Sequence, residues 1–286
     1  MSHAPDGIHP LLDGRHLVPD GLDPVSDARP RAYGEPRPVL DGPRLVVDLG
    51  RVHRCLSSAV FGGGLGRMRT WLNLQVPLSY SRVDPGADLA GEAADLPGPV
   101  VGMMTAAPVA AYAEVRSGLC RAVATAGVRH AMAAAATRPR PVTAAEDAGD
   151  GTGPGTINLL VVVGVPLAAP GLVNALATAV EAKVQALAAA RIPARNADGF
   201  ATGTATDAIC VACPPGRGSM FAGPATRVGG DAGRAVYGAV LAAIAARGRS
   251  VSPGDRAGGR GPLAAGTPPG AVPHWTPSGA VPDLVP

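Results

Sequence analysis

A mixed sheet packed against helices in one α/β or α+β domain is the fold class this chain predicts, and three observations predict it. Short apolar runs with strand character recur through the middle of the sequence, two long helical patterns are set among them, and both ends lack apolar periodicity. The 286 residues, 47% of them hydrophobic and 16% charged, suffice for one sizeable core without staples. Aromatics make up only 3%, so Ala, Val and Leu must build that core. Small side chains of this kind favour thin, closely approached layers.

Residues 1 to about 40 are dense in Pro, Gly, Asp and Arg, and residues 249–286 repeat that character. Both read as disordered tails, unable to bury enough surface to offset chain entropy. The folded domain is therefore assigned to residues 41–248. Residues 45–49 form a short, mostly apolar strand, and 55–60 form another that ends at Gly62, Gly63 and Gly64. Residues 70–76 alternate as a half-buried strand should and stop at Pro77; 100–105 and 119–125 are further strands. The polar stretch 137–154 reads as a surface loop dividing the domain. Residues 157–165 are a nearly continuous apolar run, the mark of a strand covered on both faces.

A helix is expected over about 170–191, with Pro170 near its start and Pro193 beyond its end. On a helical wheel Val173, Leu176, Val180, Val184 and Leu187 gather on one side, with Asn174, Thr178, Glu181 and Gln185 roughly opposite. Residues 208–212 are the last strand. A second helix, about 228–247, places Val236, Val240 and Ile244 at i, i+4 and i+8.

Several function classes are disfavoured. The net charge of +3 is small, the arginines are dispersed and there are few aromatics to stack bases, so nucleic acid is not an expected partner. No basic segment followed by an apolar stretch opens the chain, and no apolar run approaches the roughly 20 residues that span a bilayer. A soluble cytoplasmic protein is expected. Cys55, Cys120, Cys210 and Cys213 are too few for a disulfide framework. Cys210 and Cys213 form a C-x-x-C pair with no partner set, and are read as buried thiols. His3, His9, His16 and His274 fall in the expected tails, leaving His53 and His130, so no protein-bound metal is expected. Phosphate-loop, nucleophile-elbow and zinc-helix motifs are absent. Nothing in the pattern specifies an oligomer.

Polar residues instead collect at the edges of the apolar strands. They are Ser57 and Ser58, Asn73 and Gln75, Thr105, Thr156 and Asn158, and the string Thr202, Gly203, Thr204, Ala205, Thr206, Asp207. Polar groups beside buried strands need partners, and strand ends are common places for ligand sites. Lys183 is the chain's sole lysine, a compact amine in a sequence that otherwise uses arginine.

At these positions the sequence resembles the adenosylcobinamide amidohydrolase family. The matching blocks are Leu56-Ser57-Ser58-Ala59-Val60-Phe61-Gly62-Gly63-Gly64, Asn73-Leu74-Gln75-Val76-Pro77 and Val101-Gly102-Met103-Met104-Thr105-Ala106-Ala107. They continue through Gly155-Thr156-Ile157-Asn158, Leu172-Val173-Asn174-Ala175, Thr178-Ala179-Val180-Glu181-Ala182-Lys183, Ala201-Thr202-Gly203-Thr204-Ala205-Thr206-Asp207-Ala208 and Phe221-Ala222-Gly223, ending in the helix with Gly233-Arg234-Ala235-Val236. The ordered set, rather than any one block, carries the resemblance. It departs at Arg129-His130, where the family pattern has a small residue and asparagine.

The resemblance implies an enzyme of corrinoid (vitamin B12) salvage, a hydrolase that cuts the aminopropanol amide of adenosylcobinamide to leave adenosylcobyric acid. No cofactor of the protein's own is implied, because the cobalt belongs to the corrinoid substrate. An amide is a poor electrophile, so such a site needs an activated nucleophile, donors for the oxyanion and a proton for the leaving amine. Asp207 and Glu181 are the candidate bases. Lys183 could protonate the amine or hold a corrin side chain, although a separation of roughly 160° on the wheel keeps it from sharing a pocket with Glu181. Ser57, Ser58, Thr204 and Thr206 are alternative nucleophiles or substrate contacts, with Ser58 and Thr204 carried as catalytic candidates. Gly63, Thr105, Asn174, Thr178 and Thr202 join the expected substrate contacts. Asn73 and Asn158 suit the amide fringe of a corrin, since each offers a donor and an acceptor. The rival function is a non-catalytic corrinoid binder serving uptake or trafficking.

Overall fold

The computed structural model describes residues 37–136 and 155–250, with side chains to residue 247. The expected loop 137–154 and most of both expected tails lie outside these residues. The described residues belong to one compact unit. Val39–Asp41, across the boundary between the expected first tail and the domain, is a short strand, β1. The remaining strands are β2 (Arg44–Ser57), β3 (Gly64–Gln75), β4 (Val100–Thr105), β5 (Ala113–Ser117), β6 (Cys120–Ala126), β7 (Ala131–Met132), β8 (Ile157–Val163), β9 (Gly203–Thr204) and β10 (Ala208–Cys213). The helices are α1 (Pro85–Glu92), α2 (Ala169–Ala189) and α3 (Arg227–Ser250).

The main sheet is mixed, as expected, and has eight strands in the order β4-β3-β2-β10-β8-β6-β5, with β1 on β2. The expected strands 45–49 and 55–60 are two halves of β2, joined through a register shift against β3 between Asp48 and His53. Such an irregularity bends and twists a ribbon. The early half of β2 and the late half of β3 lie with β4, while the late half of β2 pairs with β10. The sheet doubles back on itself as a result. Asn158 on β8 reaches Asn73 on β3 and the Met104 carbonyl on β4, three and four places away in strand order.

Three apolar layers follow. Leu45, Val47, Trp71, Met103, Leu160 and Cys210 fill the space between the two halves of the folded sheet. The other face of β6, β8 and β10, with Ala124, Leu159 and Val211, packs on α2 and α3. Leu72 and Leu74 on the outer face of β3 meet Leu89 of α1. β8 is thus covered on both faces, which explains its unbroken apolar sequence.

The wheel reading of α2 is corrected. Val173 and Val180 are 54% and 38% exposed, whereas Leu172, Ala175, Thr178, Ala179, Ala182, Lys183, Ala186 and Leu187 are buried. Alanines let α2 approach the sheet and α3 closely, and dispersion contacts favour that face over a row of bulkier valines. The periodicity of α3 holds, with Val236 and Val240 buried. The C-x-x-C pair spans three positions of β10, so with a two-residue repeat its thiols point to opposite faces. Cys210 lies between the sheet halves and Cys213 under the helices. Its contact with Cys55, and then burial, push the Cys210 thiol up; burial pushes Cys213 up and raises Cys120 to about 12.

Asp231 of α3 is the tie between helix and sheet edge at the β5–β6 turn. It accepts the Leu119 N–H at 2.9 Å while Arg234 pairs with its other oxygen. Asp231→Ala leaves a part-buried N–H without its acceptor, and chemical denaturation is expected to show a loss of about 1–3 kcal/mol.

Candidate active site

β8 and β10 are parallel neighbours, with Ala208 opposite Asn158. Their starts therefore bring Thr156 and Asp207 to the same end of the sheet. Asp207 is held from four directions. Its Oδ1 accepts the Ile157 N–H at 3.0 Å and the Thr204 hydroxyl; its Oδ2 accepts the Thr204 N–H at 3.1 Å and pairs with Lys183 Nζ. The four donors occupy the lone-pair sites of the carboxylate. Both partners of the ion pair are largely out of water, with side chains 8% and 10% exposed for Lys183 and Asp207. Gly203 makes room for them: a Cβ there would stand 2.6 Å from Asp207 Oδ2 and 2.8 Å from Lys183 Nζ.

In front of this anchor opens a cleft of about 430 Å³. Ser58, Thr105, Thr156, Thr206 and Asp207 supply its polar wall, while Val76, Leu78, Tyr80, Met103 and Met104 supply much of the apolar one. Ser58 bridges the end of β2 to the start of β10. Its N–H donates to the Ile209 carbonyl at 3.0 Å and its Oγ accepts the Ile209 N–H at 3.1 Å. As an acceptor in that bond, Ser58 keeps its own O–H for another partner. The Thr156 and Thr206 hydroxyls lie 2.6 Å apart. Thr206 also reaches the Gly155 carbonyl at 3.4 Å. Thr105 accepts the Ala107 N–H at 3.0 Å.

Asn73 and Asn158 stand behind the cleft rather than on it. Asn158 Nδ2 donates to Asn73 Oδ1 at 2.7 Å and to the Met104 carbonyl at 2.8 Å, and Asn73 Nδ2 donates to Thr125 Oγ1 at 2.9 Å. Both asparagines are fully buried. Their amides pin the doubled sheet, fixing the β4 residues that wall the cleft.

The remaining expected contacts are dispersed. Ser57 is buried and accepts the Ala59 N–H. Gly63 serves a tight turn, where a Cβ would come 2.1 Å from the Ala59 carbonyl oxygen. Thr178 donates to the Ala222 carbonyl, joining α2 to the segment before α3. Thr202 accepts the Ala134 N–H beside the small β7–β9 sheet. Asn174 is half-buried and Glu181 exposed on α2, and neither lines the cleft. Lys183 and Glu181 do point apart, as the wheel indicates, with the lysine inward. The structure thus unites Ser58, Thr105, Thr206 and Asp207 on the cleft, with Lys183 and Thr204 holding Asp207.

Thr156 was visible as a hydroxyl ahead of the strongest strand, yet it was not among the expected contacts. The apolar wall between Val76 and Pro85 gave no periodic signal at all. Arg129, at the departure from the family pattern, has its backbone beside Gly155, next to Thr156. Among the described residues no group of three His, Cys, Asp or Glu side chains could hold a metal ion, and no helix is long and apolar enough to cross a membrane.

The family model for adenosylcobinamide amidohydrolase matches residues 36–251, which include every strand and helix of the fold. No curated protein matches the chain.

Proposed function

The chain belongs to the adenosylcobinamide amidohydrolase family, and from that premise we propose that it hydrolyses the aminopropanol amide of adenosylcobinamide. Water adds across the C–N bond, leaving the carboxylate of adenosylcobyric acid and a protonated aminopropanol. In the cytoplasm this returns a salvaged corrinoid to cobalamin synthesis. One observation supports the proposal most. An open cleft with an apolar wall and a hydroxyl-rich wall meets an immobilised carboxylate at its floor.

A space of about 430 Å³ is in the range that takes a drug-sized ligand, and a corrinoid exceeds that. The amide arm and one edge of the macrocycle enter, and the rest stays outside. Met103, Met104 and Leu78 face the apolar edge. With its acceptor sites filled, Asp207 orients the floor instead of abstracting a proton. The Ser58 hydroxyl donates to the amide carbonyl, and Thr206, held by Thr156, places the arm. Removing a donor that serves a developing oxyanion costs about 10²–10³ in kcat. Ser58→Ala is therefore expected to lose about 10²-fold, while Thr206→Val raises KM more than it lowers kcat.

The test is to incubate the purified protein with adenosylcobinamide and quantify released aminopropanol for wild type and both variants. Corrinoid retained by the wild-type protein with no aminopropanol released would replace the enzyme with a non-catalytic binder. Full activity in Ser58→Ala would remove Ser58 from the site.

A further inference from the structure

We infer that the opposite end of the sheet carries a second site, which takes a small organic anion bearing a phosphate group. The cavity there measures about 600 Å³ and lies at the ends of β8 and β10, marked by Gly164 and Pro214. The cleft lies at the starts of those strands. Seven residues of β8 separate the two, about 20 Å at the usual strand rise.

Three arginines, Arg51, Arg116 and Arg121, are among the residues that line this cavity, and no Asp or Glu is among its described lining residues. They come from two parts of the fold. Arg51 lies at the register shift of β2. Arg116 and Arg121 are directly opposite each other on β5 and β6, a like-charge pairing that is unfavourable unless an anion stands between. Glu114 supplies one such anion, pairing with Arg121 at 2.8 Å and with Arg116 at 3.3 Å. The arrangement is built into the fold: the Arg121 side chain is only 8% exposed.

A guanidinium carries five N–H donors in a fixed fork, so contacts made elsewhere by these side chains are compatible with a further ligand. Phosphate fits three forks better than a carboxylate does, because it presents three oxygens where a carboxylate has two. Leu49, Leu119, Val162 and Pro214 add an apolar wall beside the arginines. That wall suits the organic body of a phosphate ester. His53, its pKa lowered by burial, donates to the Arg51 carbonyl at 2.9 Å and completes the wall.

Calorimetric titration of the full chain with inorganic phosphate and with phenyl phosphate, at constant ionic strength, tests the site. Saturable binding is expected for both, with phenyl phosphate the tighter through the apolar wall. Arg51→Gln and Arg116→Gln are each expected to weaken phenyl phosphate at least tenfold, while Arg82→Gln, on an exposed arginine at the cleft end, leaves it unchanged. Circular dichroism confirms that each variant is folded; Arg51 is exposed, so its replacement leaves the core intact. Absence of saturable binding, or wild-type affinity in Arg51→Gln, overturns the proposal. Equal affinity for the two probes overturns its organic part. None of these residues belongs to the cleft, so the titration stands or falls apart from the amidase assay.

Discussion

Lys183→Met is expected to lower the unfolding free energy by about 3–5 kcal/mol and to remove most turnover with it. Removing the amine leaves Asp207 charged in a place where water screens poorly, since both side chains are about nine-tenths buried. A typical domain has only about 5–15 kcal/mol in total, so the urea midpoint should move far. Lys183→Arg is not expected to rescue. A forked guanidinium is wider than an ammonium, and the space beside Nζ is already so narrow that Gly203 tolerates no Cβ. Pairing Lys183→Met with Asp207→Leu recovers only part of the loss, because the Ile157 and Thr204 N–H groups also lose their acceptor. A destabilisation below about 1 kcal/mol, the scale of an exposed pair, would show that the contact is not a buried anchor.

Gly203→Ala is expected to cut kcat/KM by about 100-fold with a smaller loss of stability. The new methyl group meets Asp207 and Lys183, both pinned, so the carboxylate must shift by several tenths of an ångström or more. Asp207 in turn holds Thr204 and the start of β8, which carries Thr156 on the cleft wall. Displacements approaching 1 Å at a reacting centre can cost about 10² in rate. Because the floor only positions the site, kcat should fall more than KM rises. Gly91→Ala on α1, where a Cβ meets nothing within 4 Å, serves as the control and should keep full activity. Wild-type kinetics in Gly203→Ala would detach the ion pair from turnover.

Strands that end up covered were legible because burial writes itself as composition. Residues 100–105 coincide with β4, and the runs at 157 and 208 mark the starts of β8 and β10. What escaped was structure that leaves few apolar residues. β5 has one buried hydrophobic residue, Val115, and α1 is eight residues long with Leu89 alone buried. α2 misled for a physical reason. Periodicity weighs valine above alanine, whereas close packing chose the alanine face and carried the lone lysine inward with it. The meeting of Thr204, Asp207 and Lys183 was half legible. Their types suggested chemistry, but pairing residues 24 apart on a loop and a helix depends on how α2 lies over β10. Asn73 and Asn158 had the right chemistry for a substrate and were claimed instead by the doubled sheet, a fold-back that no local pattern encodes.

The covering of β8 on both faces divides the cleft into parts of unequal stiffness. Its floor, Asp207, is bonded to Ile157 at the start of a strand hydrogen-bonded to β6 and β10, so displacing it demands cooperative disruption of the domain. The rim between Val76 and Pro85 lies outside every strand and helix, is tied within itself by the Tyr80 N–H to the Pro77 carbonyl, and can yield at far lower cost. Discrimination should therefore be sharp for the arm that is cut and lenient toward whatever the macrocycle bears above it.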